Sequence, residues 1–103
     1  MENRLELLKS MVALDPGNAF ARYGLAMEYS NTGQLEQAAA AFRELIGVNP
    51  NYPYAYFHGG QTLEKLGRRD EARDLYREGI LAAGRAGDTH ARSEIEAALI
   101  ALG

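Results

Sequence analysis

The chain has 103 residues, enough for one compact domain with its own core. Its formal net charge of -3 argues against a non-specific nucleic-acid binder, which needs a basic face. It has no cysteine, so a disulfide, a thiolate metal site and a cysteine nucleophile are all excluded. No stretch approaches the ~18 apolar residues of a membrane span. The polar start Met1-Glu2-Asn3-Arg4 leads into a short amphipathic run rather than a signal peptide. The expected location is therefore the cytoplasm, with no nucleic acid or membrane as partner.

Helix breakers divide the chain. They are Asp15-Pro16-Gly17-Asn18, Asn31-Thr32-Gly33, Asn49-Pro50-Asn51, Leu66-Gly67 and Gly84-Arg85-Ala86-Gly87-Asp88. Each segment between them has the three-to-four spacing of a helix with one buried face. In 2–14, Leu5, Leu8 and Val12 form one line, with Leu7, Met11 and Leu14 beside it. In 18–31, Phe20, Tyr23 and Met27 form a line and Ala21, Leu25 and Tyr29 lie near another. Segment 35–47 carries Leu35, Ala38, Ala39, Phe42, Leu45 and Ile46, and 52–66 carries Tyr52, Tyr56, Phe57, Leu63 and Leu66. Segment 69–83 carries Ala72, Leu75, Tyr76, Ile80 and Ala83, and 89–102 carries Ala91, Ile95, Ala98, Leu99 and Leu102. No segment alternates with period two. Asn18, Asn51 and Asp88 stand where N-caps are expected, and Pro53 suits an early helical position. The fold class is all-α, with about six helices.

A shift of 34 residues superposes the landmarks. Pro16 meets Pro50, Ala21 meets Ala55, Tyr23 meets Phe57, Gly33 meets Gly67, Ala38 meets Ala72, Phe42 meets Tyr76 and Ile46 meets Ile80. The same shift carries Leu8, Met11 and Val12 onto Phe42, Leu45 and Ile46. A helix-turn-helix unit of this period resembles the tetratricopeptide repeat. Leu25, Ala26, Tyr29, Ala38, Phe42 and Pro50 match the pattern in the first unit; Tyr56, Gly60, Ala72 and Tyr76 match it in the second. Arg22, Gly59, Leu63 and Gly84 depart from it.

The resemblance implies antiparallel helix pairs stacked as a short right-handed superhelix, an α-solenoid. A half-repeat helix would occupy 1–17, full repeats 19–52 and 53–86, and a capping helix 88–103, in a single domain. Ala26 and Gly60 would sit where paired helices cross closely, Ala38 and Ala72 opposite them, and Phe42 and Tyr76 between successive units.

The resemblance also implies a concave face lined by the first helix of each unit. Its candidate partner-binding residues are Phe20, Tyr23, Met27, Ser30 and Asn31, then Tyr54, Phe57, Gln61, Glu64 and Lys65. Asp88, Ala91 and Ile95 would continue the row. Tyr23 and Phe57 suit a core as well as a groove wall, whereas Phe20, Tyr52 and Tyr54, near helix starts, are expected to be more exposed. Some family members clamp acidic chaperone tails with basic and amide side chains. The matching positions hold Tyr23, Met27, His58, Asp88 and Arg92; only Arg92 fits, which argues against that ligand.

The first helix spreads its apolar residues over about half its circumference, more than one neighbour requires. Leu5, Leu8, Met11 and Val12 are therefore expected to support self-association, as a homodimer related by a two-fold axis. Excision from a longer protein would also leave such a face.

No catalytic, metal or cofactor pattern emerges. His58 and His90 lie far apart; His90 and Glu94 read as a solvated pair, and the acidic and basic residues of 69–78 as surface ion pairs. Ser10, Ser30 and Ser93 lack a base pattern. The leading expectation is a non-catalytic interaction module that binds a protein or peptide in an aromatic groove. A self-assembling structural protein and a regulatory fragment of a larger enzyme are the alternatives.

Overall fold

The computed structural model describes residues 3–103, so Met1 and Glu2 lie outside the described residues. Six helices follow one another: α1 (Arg4–Leu14), α2 (Ala19–Asn31), α3 (Leu35–Val48), α4 (Pro53–Lys65), α5 (Arg69–Ala86) and α6 (Thr89–Leu102). No strand forms among the described residues. The fold is an all-α helical repeat solenoid.

Short polar side chains set three helix starts. Asn3 Oδ1 accepts from the Glu6 amide at 2.9 Å, Asn18 Oδ1 from Ala21 at 3.1 Å and Asp88 Oδ1 from Ala91 at 2.9 Å. Each bond satisfies an amide that the first helical turn leaves without a partner. Gly33 and Gly67 both take φ of +77°, turning the chain identically after α2 and α4.

Two expectations about helix ends fail. Asn51 does not cap α4; Tyr52 holds that position without a side-chain bond, and Pro53 supplies the first helical residue. Asn51 Oδ1 instead accepts from Arg85 Nε at 2.6 Å. Nor does α5 stop at Ala83. It runs through Gly84, Arg85 and Ala86 to a left-handed turn at Gly87. The extra turn brings the Arg85 guanidinium to Asn51 and to the Pro50 carbonyl, 3.2 Å away.

Small residues bring the paired helices together. Ala26, Ala38 and Ala72 are fully buried, and a Cβ on Gly60 would collide with the edge of the Tyr76 ring. Phe42 and Tyr76, 1% and 0% exposed, fill the space between units. Truncating such a ring to alanine costs about 3–5 kcal/mol. One apolar cluster joins Ala26, Phe42, Leu45 and Ala55; the other joins Tyr56, Leu63, Tyr76, Ile95 and Leu102.

The contacts also give the curvature. Helix α2 touches α4, and α4 touches α6, whereas α1, α3 and α5 do not touch one another. The first-type helices α2, α4 and α6 thus form the inner row and the second-type helices the outer one.

Candidate peptide-binding face

Phe20, Tyr23 and Met27 occupy successive turns of α2, and Tyr54, Phe57 and Gln61 the matching turns of α4. Helical spacing puts each trio on one face, and the contact of α2 with α4 sets the trios side by side.

His58 stands among the rings. Its imidazole centroid lies 5.1 Å from Phe57, 6.0 Å from Tyr23, 6.1 Å from Tyr54 and 6.4 Å from Phe42. Its Nδ1 is 3.2 Å from Gln61 Oε1. Burial lowers the His58 pKa, against smaller raising effects from the Gln61 hydrogen bond and Glu94, and Lys65 lowers it further. The ring at the centre of this face is therefore biased towards its neutral form.

The Tyr54 hydroxyl donates to Glu94 Oε1 at 2.8 Å, linking α4 to α6. Hydrogen bonding to that carboxylate, more than burial, pushes the phenol pKa up to about 12. His90 Nε2 lies 2.7 Å from the same oxygen and is largely exposed. The pair expected to be merely solvated thus includes a carboxylate that fixes an aromatic ring.

Two hollows flank the aromatic cluster. A cleft of about 230 Å³ opens between α1 and α2, walled by Leu8, Met11, Phe20, Tyr23, Gly24 and Met27. A Cβ on Gly24 would come 3.0 Å from Leu8 Cδ2, so the bare glycine lets Leu8 pack close against α2 in the wall of this cleft. The other hollow, about 280 Å³, lies over the later turns of α4 between Gln61, Glu64 and Lys65. One is apolar and the other polar.

Of the residues expected to meet a partner, Phe20 is 76% exposed, and Asn31, Gln61 and Lys65 are also exposed. Tyr23, Met27, Tyr54 and Phe57 are half-buried, serving as both wall and packing. Tyr52 and Tyr54 are less open than their places near a helix start suggest, because Tyr52 packs 5.3 Å from Tyr23 and Tyr54 is tied to Glu94. On α1, Leu8 is buried on α2 at the wall of the cleft, and Leu5 and Val12 are half-buried. Of the four residues expected to support self-association only Met11 is exposed, and the exposed apolar line is Leu7, Met11 and Leu14. His58 and Glu94 were not among the residues expected to bind a partner. The resemblance placed His58 on the inner face only as a clamp position of the wrong chemistry, and Gly24 stands at the equivalent place one repeat earlier.

Among the described residues no group of three or more His, Asp or Glu side chains is placed to hold a metal ion. No described helix is long and apolar enough to cross a membrane.

Two family models described as tetratricopeptide repeat match residues 5–56 and 53–84. A TPR repeat-containing protein of Pseudomonas aeruginosa is 29% identical over 91 residues, covering 88% of this chain and 87% of its own length. The solution structure of a tetratricopeptide repeat domain protein from Salinibacter ruber is 36% identical, with a TM-score of 0.80 over 85% of this chain and 89% of that one. PcrH, solved in complex with the chaperone binding region of PopD, superposes with a TM-score of 0.89 at 21% identity, over 95% of this chain and 74% of that one. That last likeness concerns the fold alone.

Proposed function

The chain belongs to the tetratricopeptide repeat family, and on that premise we propose that it is a non-catalytic, cytoplasmic adaptor whose inner face holds a peptide or helical segment of another protein. The observation that carries this reading is Phe20. Its ring stands 76% exposed at the rim of an apolar cleft of about 230 Å³, beside the half-buried Tyr23 and Met27. Rings at the edge of a preformed pocket are what interfaces use as anchors, because burying them gains much area for little lost freedom.

In this reading an apolar side chain of the partner enters the cleft between Met11, Phe20 and Gly24. The segment then crosses Tyr23, His58 and Phe57, and the exposed Gln61 and Lys65 meet its polar groups. The charge on the inner face speaks against an acidic tail as ligand, since Asp88 and Glu94 stand near the rings.

Affinity capture with the intact chain identifies the partner; variants then locate its site. The doubly substituted Phe20→Ala, Tyr54→Ala chain is expected to lose that partner, and Gly24→Leu, whose side chain would push on Leu8 in the cleft wall, to weaken it at least about tenfold, equal to ~1.4 kcal/mol. Capture unchanged by all three substitutions overturns the reading.

A further inference from the structure

The repeat provides an internal standard for what ought to cover α1. Leu7, Met11 and Leu14 are 51%, 38% and 87% exposed. One repeat later the same positions hold Ala41, Leu45 and Val48, only 7%, 0% and 39% exposed. Two repeats later they hold Leu75, Gly79 and Ala82, all buried. The cause lies in the neighbours. Helix α3 packs between α2 and α4, and α5 between α4 and α6, whereas α1 touches only α2. The line on α1 therefore has the character of a buried helix face, open where a second helix would lie.

We propose that this helix is α1 of a second copy of the chain, lying antiparallel across the first about a two-fold axis. Leu7, Met11 and Leu14 stand at i, i+4 and i+7, an uncharged stripe of coiled-coil spacing. Reversing one copy sets Leu7 against the partner's Leu14, and the Met11 side chains near the axis. The same reversal brings Arg4, at the start of one helix, beside the partner's Asp15 at the end of the other. Both are exposed, and they carry opposite charges in two symmetric pairs; Arg4 Nε also meets Glu28 Oε2 of its own chain at 3.0 Å, which orients the guanidinium.

No other described helix offers a matching stripe. Phe20, Val48, Leu81 and Ile100 are the sole large exposed apolar side chains of α2, α3, α5 and α6 respectively, and α4 has none. The outer face of α6 carries the Arg92–Glu96 ion pair, 3.8 Å apart, so head-to-tail stacking would bury charge. A two-fold pair covers both stripes at once and closes. Met11 belongs to the stripe and also walls the cleft, so the seam of the pair borders the candidate peptide site.

Sedimentation equilibrium of the intact chain tests this independently of any ligand. At about 100 μM, a concentration that populates even a weak pair, the expected mass is twice that of one chain. Met11→Glu and Leu14→Glu should each return it to the single-chain value with unchanged helical circular dichroism; Leu14 is 87% exposed in one copy, so its charge does not disturb the fold. The chain has no cysteine, so Met11→Cys offers a clean probe and should form a disulfide-linked pair on mild oxidation. A single-chain mass for the unsubstituted protein overturns the proposal. So does a doubled mass that survives both charged substitutions, or one reached only when a different polypeptide is added.

Discussion

The Tyr54 hydroxyl and Glu94 Oε1 meet at 2.8 Å across 40 positions of sequence. The bond orients a ring of the inner face and fastens the last helix to the second repeat. Tyr54→Phe keeps the ring and removes the bond, and should lower stability by about 0.5–1.5 kcal/mol in chemical denaturation. It also gives an alkaline signature. The free phenol titrates at 10.0 and Tyr54 at about 12 in the fold, so the folded state holds a proton that the unfolded chain has lost. The stability this represents is complete below pH 10 and disappears as pH rises towards 12. The unsubstituted protein should lose more stability over that window than Tyr54→Phe; parallel losses contradict the role assigned to Glu94.

Gly60→Ala gains helix propensity of about 1 kcal/mol and would be mildly stabilising on an open helix surface. Here its new methyl meets the ring of Tyr76, a side chain 0% exposed whose hydroxyl is held by Glu64. With no space to yield, net destabilisation by about 1–3 kcal/mol is expected. Thermal unfolding decides the matter, and an unchanged or raised melting temperature contradicts the close crossing of α4 and α5.

His58 should titrate below its ordinary 6.5, since burial among the rings opposes its charged form. The fold then favours the neutral imidazole, which contributes stability above pH 6.5 that is lost as pH falls from 6.5 towards the folded-state value. An NMR titration of the imidazole carbon protons reads the midpoint directly. A value at or above 6.5 would contradict burial as the dominant effect on this ring.

Legibility in the sequence followed the repeat. Helix number, the buried alanines at 26, 38 and 72, and the plugs Phe42 and Tyr76 could all be read from period and residue size. What escaped depended on contacts the repeat does not encode. Helix α5 runs on to a left-handed turn at Gly87, and its extra turn carries Arg85 to Asn51 and Pro50, contacts beyond any local breaker rule. The inner-face position of His58 was readable, but its enclosure by four rings from α2, α3 and α4 was not, since its repeat partner is a glycine. On α1 the pattern showed two apolar lines and could not say which one α2 covers. Leu8 settles that by packing inward and leaving Leu7, Met11 and Leu14 outside.

If the inner face is where a partner lies, an NMR titration of the labelled chain with the segment mapped from its captured partner shows it most directly. Shift changes are expected to concentrate at Phe20, Tyr23, Gly24, Met27, Tyr54, Phe57 and His58. Changes confined to the outer helices α3 and α5, with these residues silent, would contradict it.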